Sequence, residues 1–207
     1  MDSLTVLQQG PVIPVIVIED ASKAVPMGRA LVAGGVRVLE ITMRTAAALD
    51  AVRALSAEVP EAIVGVGTVL EPKQFVEARK AGARFAISPG YTAKMIEAAA
   101  DAGISYLPGV TTPSEMMHAM ELGLTTLKFF PAEASGGIPM LKSLASPYPM
   151  LKFCPTGGIG LNNARNYLAL PNVVCVGGSW LVPSDAVRDD NWAEVTRLAQ
   201  EASAIKA

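Results

Sequence analysis

Two lysines stand in almost the same pentapeptide, Leu127-Lys128-Phe129-Phe130-Pro131 and Leu151-Lys152-Phe153-Cys154-Pro155. Apolar, β-prone neighbours put each lysine on a buried strand. An ammonium group withdrawn from water gives up its proton more readily, and the free amine attacks ketones. Glu40, between Leu39 and Ile41, is a carboxylate in a similar setting. Burying it unpaired is costly, so Arg44 or Lys128 is its expected partner. The plain reading of such a pair is a structural ion pair; the functional one is a proton-transfer group in a low-dielectric pocket, with Arg44 free to take a ligand carboxylate through two parallel hydrogen bonds. Two glycine pairs, in Thr156-Gly157-Gly158 and Gly177-Gly178-Ser179, leave backbone N–H groups bare. With the Ser179 hydroxyl, they suit a phosphate.

The elements that must hold these residues follow from periodicity. Eight β-branched runs, at residues 12–18, 38–42, 63–68, 85–88, 105–107, 126–130, 151–155 and 173–176, are separated by alanine-rich stretches of helical period. The helical stretches are residues 22–33, 46–57, 72–81, 93–102, 113–122, 138–144 and 162–168, with 192–202 closing the chain. Thr112 before Pro113 reads as a helix N-cap, and Gly34, Gly82, Gly103 and Gly123 read as helix ends. Units of roughly 25 residues repeated in this way predict an α/β fold, a compact (β/α)8 TIM barrel, with an open doubly wound sheet as the alternative. Residues 2–9 are expected to form a short N-terminal helix covering the bottom of the barrel, and residues 1–207 to form a single domain.

In such a barrel the chemistry lies at the carboxyl ends of the strands. Strand two offers Glu40, Thr42 and Arg44 on one face, strand three ends at Thr68, strand six carries Lys128, strand seven ends at Thr156, and the glycine pairs follow strands seven and eight. Local context does not choose between the two lysines. If Phe130 and Thr156 mark the mouth, Lys128 lies two residues (~7 Å) below it and Lys152 four residues (~13 Å), which favours Lys128.

Apolar residues make up 51% of the 207 and charged residues 17%, so more surface is buried than one small domain requires, which favours an oligomer. A net charge of −2 with no basic block gives no footprint for nucleic acid or an acidic membrane. The start of the chain lacks a signal-peptide pattern and no run is long enough for a membrane helix, so a cytoplasmic protein is expected. Cys154 and Cys175 read as core residues, and the single His118 cannot build a histidine-rich zinc site.

Taken together, Pro11-Val12-Ile13-Pro14-Val15, Leu39-Glu40-Ile41-Thr42-Met43-Arg44-Thr45, Val66-Gly67-Thr68-Val69-Leu70, Ser88-Pro89-Gly90, Lys128-Phe129-Phe130-Pro131-Ala132-Glu133, Phe153-Cys154-Pro155-Thr156-Gly157-Gly158 and Gly177-Gly178-Ser179-Trp180 resemble the 2-keto-3-deoxy-6-phosphogluconate (KDPG) and 4-hydroxy-2-oxoglutarate (KHG) aldolase family. The resemblance spans nearly the whole chain. It implies a class I aldolase in which Lys128 forms the Schiff base and Glu40 is the general acid/base. Arg44 and Thr68 would hold the pyruvate carboxylate, Gly157, Gly158, Gly178 and Ser179 the phosphate, and Pro89, Phe130 and Thr156 would line the pocket. It further implies a homotrimer, a phosphorylated 2-keto acid and pyruvate as ligands, and no metal or organic cofactor. A phosphosugar isomerase or epimerase would use Glu40 without a neutral lysine, and a non-catalytic phosphosugar-binding protein would need only the glycine pairs.

Overall fold

A computed structural model describes residues 1–206. Nine short strands are assigned: β1 (Val12–Ile16), β2 (Val38–Thr42), β3 (Ile63–Gly67), β4 (Phe85–Ile87), β5 (Ser105–Leu107), β6 (Gly109–Val110), β7 (Thr126–Phe129), β8 (Lys152–Pro155) and β9 (Val176–Gly178). The helices are α1 (Ser3–Leu7), α2 (Ala24–Ala33), α3 (Ala48–Glu58), α4 (Lys73–Lys80), α5 (Ala93–Asp101), α6 (Pro113–Glu121), α7 (Gly137–Ala145), α8 (Ala164–Leu168), α9 (Ser184–Arg188) and α10 (Trp192–Ser203). All strand pairs are parallel, in a six-stranded sheet of order β5-β4-β3-β2-β1-β9 and a three-stranded sheet of order β6-β7-β8. Single bridges from Phe153 to Val173 and from Thr156 to Gly177 run between the β8 and β9 segments.

One expected strand lies elsewhere, and one strand was not expected. The fifth expected strand, residues 105–107, stands as β5, and Pro108, which has no N–H to continue a ladder, separates it from the additional β6. Up to Leu107 the chain pairs with β4, and from Gly109 it pairs with β7, while the Pro108 carbonyl accepts the Lys128 N–H at 2.8 Å. The eighth lies later than expected, because Val176, Gly177 and Gly178 pair with Val12, Ile13 and Pro14. The second glycine pair is thus inside a strand rather than after it. Ladder pairing overrides the low strand propensity of glycine here.

Burial on both faces explains why the strands read as continuous apolar runs. β2 and β3 are buried at every position. Outward-facing side chains join the helices in one large core, including Phe75, Phe129, Phe153 and Tyr167. A second, smaller cluster holds Ile13, Val38, Ile63, Phe85, Ile87, Leu107, Cys154 and Cys175, contributed by six strands and the segment entering β9. Val6 and Leu7 of α1 belong to this cluster, so the expected N-terminal helix closes the amino-terminal ends of the strands. Both cysteines are buried, as expected.

Helix ends follow the expected punctuation. Thr112 accepts the Glu115 N–H while the Glu115 carboxylate accepts the Thr112 N–H at 2.8 Å, a reciprocal capping box with Pro113 at the first helical position. Helix α9 was not anticipated, since five residues are too few to show a period. No helix among the described residues is long and apolar enough to cross a membrane.

Candidate active site

Glu40 is the third residue of β2 and Lys128 the third of β7, and their side chains meet between the two sheets. The Lys128 ammonium donates to Oε1 of Glu40 at 3.4 Å, with the two side chains only 7% and 2% exposed. Water therefore does little to screen this pair, and each group is the other's main compensation for burial. The Lys128 Nζ also lies 5.3 Å from the centre of the Phe130 ring, within reach of its negative face. Of the two partners expected for Glu40, Lys128 takes the role and Arg44 does not.

Arg44 stands past the end of β2, exposed, where its Nε donates to Thr68 Oγ1 at 2.9 Å. Thr68 holds a left-handed backbone, φ 57°, which a β-branched residue adopts only at a cost of about 1–3 kcal/mol. The turn directs its hydroxyl to the guanidinium and leaves the remaining Arg44 donors available to an incoming carboxylate. Thr42, which shares the Glu40 face of β2, turns its hydroxyl to the Ile16 carbonyl at 2.9 Å and serves the β1–β2 junction.

The remaining expected residues cluster around this pair through the backbone. Pro89 is partly buried, and its carbonyl lies where a side chain on Gly109 would stand; Gly109 is the register partner of Lys128. Ser88 anchors that turn by sharing hydrogen bonds with the Tyr106 hydroxyl (2.6 Å) and the Gly90 carbonyl. Thr156 is 6% exposed and follows β8 directly; its N–H donates to the Phe129 carbonyl at 2.9 Å, and its side chain fills the space over Gly177.

Gly157 and Gly158 come next, with φ of 105° and 76°, a conformation that favours glycine. Glu133 braces them: its N–H donates to the Gly157 carbonyl at 3.1 Å, and its Cβ and Cγ occupy the space beside Gly158. The Glu133 carboxylate in turn accepts the Tyr167 hydroxyl. Burial first, and then that carboxylate, keep the Tyr167 proton bound well above the ordinary tyrosine range. Gly178 is covered by the Trp180 ring, and Ser179 borders a cavity of about 680 Å³ whose lining includes Val15, Val17, Lys23 and Arg188. Neither Lys128 nor Glu40 borders that cavity.

Lys152, the rival lysine, sits at the first position of β8, paired with Thr126, and donates to the Pro171 carbonyl at 3.0 Å. Sequence reasoning named Gly67 only within a family motif, with no role of its own, and missed the supporting residues Tyr106 and Tyr167. The available signal was Gly65-Val66-Gly67, since glycine within a strand marks a close approach.

Comparison with known proteins gives one consistent result. A family model described as KDPG and KHG aldolase matches residues 4–198. The KHG/KDPG aldolase of Escherichia coli (strain K12) is 55% identical over 198 residues, covering 96% of this chain and 93% of the relative. A 2-dehydro-3-deoxy-phosphogluconate aldolase of Pseudoalteromonas atlantica is 52% identical, covering 99% and 95%. Among solved structures, a KDPG aldolase from Legionella pneumophila, with pyruvate captured as a covalent carbinolamine, superposes with a TM-score of 0.96 at 47% identity, covering 99% of each chain.

Proposed function

The chain belongs to the KDPG and KHG aldolase family, and from that premise we propose that Lys128 is its Schiff-base lysine and Glu40 its proton-transfer group. The activity is that of a class I aldolase, a lyase that reversibly cleaves 2-keto-3-deoxy-6-phosphogluconate to pyruvate and glyceraldehyde 3-phosphate. The same chemistry applied to 4-hydroxy-2-oxoglutarate yields pyruvate and glyoxylate. The observation that carries the assignment is the buried Lys128–Glu40 contact of 3.4 Å.

The Lys128 amine adds to the C2 ketone, and loss of water from the carbinolamine leaves an iminium that accepts the electron pair of the C3–C4 bond. Glu40 takes the C4 hydroxyl proton as that bond breaks, and the aldehyde product departs. The remaining enamine is protonated at C3 by Glu40, and water hydrolyses the resulting iminium to release pyruvate. Arg44 and Thr68 hold the substrate carboxylate, so the ketone is presented to Lys128 in one orientation. The N–H groups of Gly157 and Gly158 and the Ser179 hydroxyl receive the phosphate beside Gly178, whose own N–H is taken up in the ladder with β1, with Pro89, Phe130 and Thr156 lining the space between. Phosphate binding far from the reacting carbons supplies orientation, so an unphosphorylated substrate loses turnover as well as affinity.

The two sheets act as one closed eight-stranded (β/α)8 barrel in a single domain, with β5 and β6 as one interrupted strand and the bridges at Phe153 and Thr156 closing the circuit. The functional unit is a homotrimer in the cytoplasm, consistent with the high apolar content. An isomerase or epimerase on the same scaffold would use Glu40 but has no task for a lysine beside it. Borohydride reduction in the presence of pyruvate tests the reading. A stable adduct is expected on the peptide containing Lys128; an adduct on Lys152 instead removes the residue assignment, and no adduct removes the mechanism.

A further inference from the structure

We propose that Gly67 is a positioning residue for the reaction, its missing side chain forming the seat in which the Glu40 carboxylate stands beside Lys128. This rests on the reading of Glu40 as the proton-transfer group. A Cβ built on Gly67 would run into Oε1, Cδ and Cγ of Glu40. In the β2–β3 ladder Glu40 lies opposite Gly65 and Thr42 opposite Gly67, so the Glu40 side chain leans one inward-facing step toward the carboxyl end. The equivalent space at Gly65 is already filled by the Phe85 ring, a member of the apolar interior cluster.

Two glycines on one face of one strand thus admit different neighbours, an aromatic ring below and a carboxylate above. Gly67 does not adopt the left-handed backbone that only glycine tolerates well. What the position requires is the absence of Cβ rather than backbone freedom. Lys128 donates to Oε1 of that carboxylate at 3.4 Å. A methyl group at Gly67 displaces the carboxylate by roughly 1 Å before ordinary contact distances are restored.

The test compares turnover of Gly67→Ala, Glu40→Asp, the double variant and Glu40→Gln on the phosphorylated substrate. Gly67→Ala is expected to lower kcat on the order of 100-fold, the usual cost of a 1 Å misplacement. In the Glu40→Asp background, where the carboxylate is one methylene shorter, the same substitution should cost less than about twofold, because the two residues no longer compete for space. Equal losses in both backgrounds overturn the proposal, as does a Gly67→Ala enzyme with parental turnover when Glu40→Gln is inactive. If Gly67→Ala does not fold, the double variant must fold, and failure of both also overturns it. Retained turnover in Glu40→Gln removes the underlying reading of Glu40 directly, independently of what Gly67→Ala does, and takes the proposal with it.

Discussion

Lys128 and Lys152 occupy the same place in nearly identical pentapeptides on adjacent parallel strands, yet the fold gives them opposite surroundings. In the β7–β8 ladder Lys128 is level with Cys154, while Lys152 is level with Thr126, one inward-facing step nearer the amino ends. That two-residue offset carries Lys128 to the level of Glu40 and leaves Lys152 at the rim, bonded to the Pro171 carbonyl. The same division runs along the whole strand face that carries both lysines. Its amino end is filled by Ile13, Val38, Ile63, Phe85 and the α1 side chains Val6 and Leu7; toward the carboxyl end stand Lys128, Glu40 and Thr156. Side-chain identity alone does not make a lysine chemically useful. Its height on the strand decides which neighbours share its low-dielectric setting.

The sharpest way to break this contrast is to remove each lysine in turn. Lys128→Ala is expected to lower kcat by at least about 10⁴-fold, as loss of a covalent nucleophile does elsewhere. Lys152→Ala should stay within about twofold of the parent and lose only about 1 kcal/mol of stability with its one hydrogen bond. Steady-state turnover and thermal unfolding of the two variants, measured together, check both halves. Comparable loss of turnover in the two would end the distinction.

A smaller effect is expected at the carboxyl end, away from the lysine. Arg44→Ala removes the anchor of the strained Thr68 turn and, on the proposed reading, the charged partner of the substrate carboxylate. KM should rise roughly 10- to 100-fold, the equivalent of ~1.5–3 kcal/mol for a hydrogen bond to a charged group. Borohydride trapping at saturating pyruvate should still label Lys128; loss of labelling would mean that Arg44 acts in the chemistry itself.

The smallest effect belongs to the apolar end and to the core around it, and concerns stability rather than turnover. Burial, with the neighbouring Cys154 and Glu40, pushes the Cys175 thiol well above its ordinary value of about 9. Burial likewise pushes the Tyr106 hydroxyl up to about 12. Both groups keep their protons to higher pH in the folded protein than in the unfolded chain. The stability they contribute is therefore whole below the unfolded values and is lost as pH rises through the folded ones. Melting temperature should fall as pH rises from about 9 toward 12, and Tyr106→Phe should flatten the upper part of that fall by on the order of 2 kcal/mol. A melting temperature independent of pH across this window would contradict the burial of both groups.

Much of the architecture was legible because strand and helix periods repeat strongly. Seven of the expected strands appear where β-branched runs stand, and the Thr112 cap and the N-terminal helix follow from residue types with short-range physical effects. The departures lie where pairing between distant segments overrules local preference. Past Pro108 an unexpected β6 joins the other sheet, and Gly177 and Gly178 enter a strand against their propensity because β1 supplies their ladder. Helix α9 was too short to carry a period.

At the site, residue chemistry and family motifs pointed to Lys128, Glu40, Arg44 and Thr68 before any coordinates. By itself the sequence determined which groups were available: two strand lysines, one strand carboxylate and two bare glycine pairs. The tertiary structure decided which lysine meets the carboxylate, that Arg44 turns to Thr68 rather than to Glu40, and that Gly67 leaves the space in which Glu40 stands. Glu40 and Lys128 are separated by 88 positions in the chain, and no local rule reports a 3.4 Å contact across that interval. It arises from the relative heights of non-adjacent strands, which register alone sets.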